Sequence, residues 1–353
     1  MVKRIDLWNT NDFRGALREA VSVLQQGQAV GVPTESGYLV CRLPTADSDK
    51  SGELLCFGME VVHRWSDSLN PWMERHLSKW WPGAVVVELP CTEKTPEPLA
   101  RSLAHDGRIA LRVPDDEIAA DLLRMVGGVL HCSAESLVAF CADADALIAQ
   151  VPELGLVLDG GPVRYRTCSS RVRITSDRWT VISVGVWNEK MLARMTAEVV
   201  LFVCTGNTCR SPMAEVLFRK RLTDRLQCSE ADLLDRGYAV LSAGLAAVPG
   251  MPASPEAVEL FQGDGSPLED HESQYATEEL LSRADWIFVM TKSHRQAILE
   301  RIPEIAERVR LLSAEGRDVS DPIGGSSEDY RRCRDEIAQH VARQLEQIIA
   351  TRS

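Results

Sequence analysis

The chain has 353 residues, 45% of them apolar and 25% charged, which is enough for two globular domains with sizeable cores. Its formal charge of −12 argues against a general nucleic-acid binder, and no basic half hides inside that total: the part up to Thr196 carries 21 Lys and Arg against 25 Asp and Glu, the rest 18 against 26. No apolar stretch reaches membrane-spanning length, Met1 to Asp6 lead into polar residues rather than a signal-peptide core, and 10 irregularly spaced cysteines read as reduced thiols; the expectation is a cytoplasmic protein without a membrane partner.

Taken in chain order, Ala16 to Leu24 has the apolar spacing of a helix that Gly27 closes, and Ala29 to Thr34 reads as a strand entering a loop. Arg108 to Pro114 and Leu154 to Gly161 read as further strands ending in turns, so the first half is an α/β or α+β domain. Trp65, Trp72, Trp80 and Trp81 form either core or an exposed contact surface, and clustered tryptophan is more often core.

With Trp81-Pro82-Gly83, Ser133-Ala134-Glu135-Ser136 and Ser169-Ser170-Arg171, these segments resemble the Sua5/YciO/YrdC family over about residues 10–190. Members that make threonylcarbamoyl-adenylate, a precursor of a tRNA modification, use ATP, threonine and bicarbonate. Pro33 to Tyr38 retain the threonine-site pattern, but no Lys-x-Arg motif lies between Tyr38 and Trp81. The family's Ser-x-Asn reads Ser133-Ala134-Glu135 here, with a carboxylate where a neutral amide would meet the nucleotide, and Ser-Thr-Val reads Ser169-Ser170-Arg171. Losing a phosphate-binding cation pair while gaining an anion weakens ATP binding. The expectation is a non-catalytic regulatory or docking module in which Arg112 and Ser133 can still hold an altered small ligand. The alternative is a bifunctional protein whose first half is an L-threonylcarbamoyladenylate synthase.

Leu192 to Thr196 read as a short linker, placing a YrdC-like domain at 1–193 and a second domain at 198–353. The second reads as alternating β and α: strands at Val199–Val203, Ala239–Ser242, Trp286–Met290 and Val309–Leu312, with helices from Pro212 to about Leu226, Pro255 to Phe261, Thr277 to Leu281, Ser293 to Glu300 and Asp329 onward. That alternation predicts a parallel sheet flanked by helices, with a ligand site at the carboxyl end of its first strand.

At that end lies Cys204-Thr205-Gly206-Asn207-Thr208-Cys209-Arg210-Ser211, followed by Pro212. A lone cysteine beside a valine-rich run is usually a small buried hydrophobe. A thiol at a helix N-terminus, five residues before Arg-Ser, instead suits phosphate: backbone N–H groups from Thr205 to Arg210 can curl around the anion, the helix dipole points at it, and Arg210 adds a two-pronged guanidinium. The same field favours the nucleophilic thiolate at Cys204, Ser211 can donate to its sulfur, and Gly206 and Asn207 tolerate a left-handed backbone. A Walker loop is excluded because no Gly-Lys-Ser/Thr follows, and zinc is disfavoured because no Cys-x-x-Cys exists in the chain. Covalent phosphate transfer also needs a proton donor. Asp321, before Pro322 and two glycines, can project a carboxylate from a loop.

These motifs, with Leu241-Ser242-Ala243-Gly244, the strand through Ala284 to Thr291, and Tyr330, resemble the low-molecular-weight protein phosphatases of the Cys-x5-Arg-Ser type from about Glu198 to the end. The resemblance implies a phosphorylated protein or peptide as substrate, Cys204 as nucleophile, Arg210 as phosphate clamp, and Asp321 as acid and then base, with no cofactor. Thr208, where many tyrosine-directed members are aliphatic, and Ile323-Gly324-Gly325, without an aromatic wall after Asp321-Pro322, look most like protein-arginine phosphatases. Those members usually carry Phe at the position of Ile323, so phosphoarginine is favoured with phosphotyrosine left open. Cys209 is either packing beneath the loop or a partner for oxidised Cys204. A phosphopeptide-binding module with an idle cradle is the non-enzymatic reading, and the intact set of Cys204, Arg210, Ser211 and Asp321 argues against it.

Overall fold

The computed structural model describes residues 2–133, 140–262 and 268–350, and the chain divides into two compact units, Met1–Thr196 and Ala197–Ser353. Ala134, Glu135 and Ser136 lie outside the described residues. Among the described residues no helix is long and apolar enough to cross a membrane.

The first unit is built on a mixed sheet of strands β1 (Lys3–Asp6), β2 (Val30–Thr34), β3 (Gly37–Arg42), β4 (Glu53–Cys56), β5 (Val85–Pro90), β6 (Arg108–Arg112), β7 (Val129–Cys132), β8 (Leu156–Asp159), β9 (Ser170–Ile174) and β10 (Trp179–Ser183). Their order is β1-β8-β2-β3-β7-β4-β6-β5-β9-β10. Helix α1 (Phe13–Gln25) starts where the Asp12 carboxylate accepts from Gly15 N at 2.7 Å, buries Ala16, Leu17, Ala20 and Leu24, and ends before Gly27 at φ 78°. The helices that follow are α2 (Met59–Trp65), α3 (Pro71–Trp80), α4 (Pro98–Leu103), α5 (Glu117–Met125), α6 (Ala144–Gln150) and α7 (Glu189–Met195). Trp65, Trp80 and Trp81 are buried in one apolar cluster with the half-buried Trp72 packed against it, so these tryptophans are core. The expected linker is a correction. Asn188 caps α7 through its side chain, and Leu192 enters the same apolar cluster, so the segment up to Met195 is a packed helix of the first unit.

The second unit carries a parallel sheet in the order β12-β11-β13-β14, formed by β11 (Glu198–Cys204), β12 (Tyr238–Gly244), β13 (Trp286–Val289) and β14 (Val309–Leu311). Its helices are α8 (Arg210–Leu226), α9 (Pro255–Phe261), α10 (Glu278–Arg283), α11 (Lys292–Arg301) and α12 (Ser327–Ala350). Period-two alternation splits the strands between two cores. Val200, Phe202, Trp286 and Phe288 face α8, α9 and α12 residues such as Phe218, Ala257 and Ile337, while Leu201, Val203, Ile287 and Val289 pack with Leu281 and Ile298 of α10 and α11. Burial on both faces is why these strands read as continuous apolar runs. It also fixes Cys204 at the carboxyl end of an inner strand.

Candidate active site

The loop between β11 and α8 is held by main-chain bonds on both sides. Leu245 N donates to Cys204 O at 3.0 Å, Ala246 N to Thr205 O at 2.9 Å, and Ser254 N to Thr208 O at 2.8 Å. Gly244 makes that approach feasible, since a Cβ there would lie 2.5 Å from Thr205 O and 2.8 Å from Asn207 N. Asn207, at φ 57°, takes the left-handed turn, whereas Gly206 does not adopt positive φ. Of the two residues expected to bend this way, only the asparagine does.

Asn207 is fully buried and anchors the turn. Its side-chain amide donates to Ser211 Oγ at 3.0 Å and Ser242 Oγ at 2.9 Å, and its Oδ1 accepts from Gln274 N at 2.8 Å. Its main-chain oxygen lies 2.7 Å from His271 Nε2. Its own N–H donates to Cys204 Sγ at 3.2 Å, and Ser211 Oγ lies 3.0 Å from the same sulfur. The sulfur is thus fixed beside the first turn of a 17-residue helix whose N-cap is Cys209, two residues earlier than the sequence suggested. An N-terminus of that length offers unpaired N–H groups and positive potential to an anion.

Arg210 is 4% exposed; its Nη1 donates to Val319 O at 3.3 Å, and its Nη2 reaches Thr205 Oγ1 at 3.4 Å and pairs with the Asp321 carboxylate. Cys204, Arg210, Ser211 and Asp321 are therefore gathered around one helix end from segments more than 100 residues apart. Thr208 is half-buried in the loop, and Ile323, 68% exposed, is a single apolar residue two positions past Asp321. Cys209 packs beneath the loop among Met213 and Tyr330, with its sulfur 3.4 Å from Tyr330 Oη. Burial, and then that contact with Cys209, push the Tyr330 hydroxyl up to about 12.

His294, Gln274 and His271 were not singled out by sequence reasoning. His294, on α11, lies 2.9 Å from Thr205 Oγ1 through Nε2. Burial, and then the neighbouring Arg210 cation, hold its imidazole below the usual range, with Asp321 and Asp318 opposing the shift. An unfolded chain then binds this proton before the folded one does. Stability from this group is present above the ordinary histidine range and lost as pH falls through it. The second unit's melting temperature is expected to fall between pH 7 and pH 5, and to fall less in His294→Gln. An unchanged slope in that variant would contradict the assignment.

In the first unit, Arg112 is 1% exposed. Its Nη2 donates to Ser36 Oγ at 2.7 Å and Thr34 Oγ1 at 3.2 Å and lies 2.9 Å from Glu35 Oε1, while Nη1 faces Glu53 Oε1 at 3.6 Å. Ser36 Oγ also lies 2.8 Å from Ser169 Oγ, and Arg171 Nε donates to Glu88 Oε1 at 2.8 Å. The expected Arg112 cation is thus matched by carboxylates, and burial pushes the Glu53 carboxyl up against the pull of Arg112. Ser133 follows directly on β7.

Comparison with known proteins separates the same two halves. The family model described as low molecular weight phosphotyrosine protein phosphatase matches residues 199–352, and the Sua5/YciO/YrdC model, described as telomere recombination, matches residues 22–185. A protein-arginine-phosphatase of Bacillus subtilis is 39% identical over 150 residues, 41% of this chain and 93% of that protein. A probable low molecular weight protein-tyrosine-phosphatase of Ralstonia nicotianae is 40% identical over 126 residues, 35% of this chain and 78% of that one. A crystal structure of a YwlE mutant from Bacillus subtilis aligns with 43% of this chain and 99% of its own at 36% identity and a TM-score of 0.38. Through residues 199–352 the chain belongs to the low molecular weight phosphotyrosine protein phosphatase family, in fusion with a Sua5/YciO/YrdC-type unit.

Proposed function

We propose that the second unit hydrolyses phosphorylated protein side chains, phosphoarginine ahead of phosphotyrosine, through a phosphocysteine at Cys204. The observation that carries this is the convergence of the Cys204 sulfur, the Arg210 guanidinium and the Asp321 carboxylate on the N-terminus of α8. An incoming phosphate takes over the guanidinium and frees Asp321 to meet the leaving atom. Cys204 Sγ attacks phosphorus, the P–N or P–O bond breaks, and Asp321 gives its proton to the departing nitrogen or oxygen. Water then attacks phosphorus, Asp321 takes a proton from it, and the S–P bond breaks to release phosphate. Thr205, Gly206, Asn207, Thr208, Cys209 and Ser211 shape the cradle around these steps.

Thr208 and the lack of an aromatic wall beside Ile323 support the guanidinium-bearing substrate, because they leave a phenol ring without a stacking surface while Asp321 can pair with a guanidinium. Rapid acid quench of the chain with phosphopeptide, followed by peptide mapping, should place the phosphate on Cys204; phosphate on another residue would overturn the mechanism. Asp321→Asn is expected to lower kcat about 10²–10³-fold, because the amide can neither protonate the departing atom nor take a proton from the attacking water. A variant with wild-type kcat would remove Asp321 from the reaction.

For the first unit the reading is a non-catalytic relative. Arg112 is engaged by Thr34, Ser36 and Glu35 and faces Glu53, leaving its guanidinium little capacity for a nucleotide phosphate. Calorimetry with ATP and threonine is expected to show no tight binding, and pyrophosphate release from the full chain would restore the synthase reading. A reducing, cytoplasmic setting fits a reaction that depends on a free thiol at Cys204.

A further inference from the structure

The parallel sheet ends at β14, which pairs only with β13 among the described residues. Ile287 N donates to Arg308 O and Leu312 N to Val289 O, each at 2.9 Å, so Arg308, Arg310 and Leu312 turn their main chain inward, while Val309 and Leu311 turn theirs outward. Val309 O is taken by Arg295 Nε at 3.0 Å, leaving Leu311 as the strand residue that offers main-chain groups to the open side.

A groove of about 870 Å³ runs along this edge, with α11 as one wall and Gln344 and Gln347 of α12 as the other. Lys292, Arg295 and Arg310 line it against a single acid, Glu300, although the half of the chain after Thr196 has 18 basic residues against 26 acidic ones. Two of the cations are held in place: Arg310 lies 4.6 Å over the Trp286 ring, and Arg295 Nε donates to Val309 O at 3.0 Å. The main-chain N–H of Lys292 donates to Asp318 Oδ1 at 2.8 Å, three residues before Asp321. The groove therefore starts beside the loop that carries the acid. The same helix, α11, brings His294 to Thr205 in the phosphate loop.

We propose that this groove docks an acidic, extended segment of the phosphoprotein substrate, a reading that rests on the phosphatase assignment above. Acidic side chains of the segment meet Lys292, Arg295 and Arg310, its main chain meets Leu311, and the amides of Gln344 and Gln347 line the opposite side. The phosphorylated residue then lies a short span away at Cys204. Recognition of this kind sets KM for protein substrates and leaves the chemical step unchanged.

The test uses the full chain, a labelled glutamate-rich peptide without phosphate, the same peptide phosphorylated, a neutral phosphorylated counterpart, and the free phosphoamino acids. Wild type should bind the unphosphorylated acidic peptide by fluorescence polarisation, more weakly as salt rises, and Lys292→Glu with Arg310→Glu should weaken binding about tenfold. KM for the phosphorylated acidic peptide should rise by a similar factor with kcat unchanged, while free phosphoamino acids are hydrolysed as by wild type. Lys292→Gln with Arg310→Gln repeats the test with a milder change should the reversal impair folding. Equal KM for acidic and neutral peptides, equal binding by wild type and variants, or equally tight binding of an oligonucleotide of matched charge would each overturn the proposal. Loss of all phosphate release with peptide binding intact would instead defeat the phosphatase assignment and leave the groove standing.

Discussion

Cys204→Ser is expected to lower phosphate release by about 10⁴-fold or more, because a serine hydroxyl in this setting lacks a base to activate it. Ser211 Oγ lies 3.0 Å from the sulfur and Asn207 N 3.2 Å from it, and both can hydrogen-bond equally to a hydroxyl. The variant should therefore keep the loop and the melting behaviour of the wild type. Steady-state phosphate release together with a thermal melt checks both halves of the expectation. Residual activity within tenfold of wild type would show that Cys204 is not the nucleophile, and a collapsed melt would show that the loss is one of folding.

The second large effect is expected from Arg210→Lys, a change that keeps the charge. The guanidinium reaches Val319 O, Thr205 Oγ1 and the Asp321 carboxylate at once from a 4% exposed position. A lysine ammonium is a point charge and cannot present two parallel N–H groups to a phosphate while keeping those contacts. A drop in kcat/KM of about 10²–10³-fold is expected, the size seen on removing one oriented donor to a developing charge. Kinetics on a phosphopeptide, with phosphate affinity from calorimetry, would show whether binding weakens in step. A lysine variant within fivefold of wild type would mean that charge alone suffices and that the forked geometry is incidental.

What could be read from the chain follows the distance over which its chemistry is written. The cradle is local: Cys204 through Ser211 lie consecutively between an apolar strand and a helix, so the thiol, the arginine and the turn are visible together. Asp321 lies 117 positions away, yet its proline and the two glycines mark a loop residue independently of any contact. His294, His271 and Gln274 carry no such mark. His294 resembles any histidine in the first turn of a surface helix until the sheet register brings α11 against Thr205. Gly206 and Asn207 both tolerate positive φ, and it is the four hydrogen bonds made by the asparagine side chain and main-chain oxygen, rather than propensity, that decide which one adopts it.

The same contrast holds for the folds. The second unit's β/α alternation determines a parallel sheet almost by itself, since each strand is buried on both faces. In the first unit the pairing order interleaves strands far apart in the chain, and nothing local to β4 or β7 announces that they are neighbours. Leu192 to Thr196 read as a linker because so short a run shows no helical period by itself, whereas the helix that runs into it starts at Glu189. Leu192 and Ala193 are the side chains that bind it to the core.

The measurement that tests the central claim most directly is phosphate release by the full chain from matched phosphoarginine and phosphotyrosine peptides, with Cys204→Ser as the blank. The arrangement of Thr208, Asp321 and an unwalled rim at Ile323 leads to faster release from phosphoarginine that disappears in the blank. Faster release from phosphotyrosine, or release that survives loss of the thiol, would contradict it.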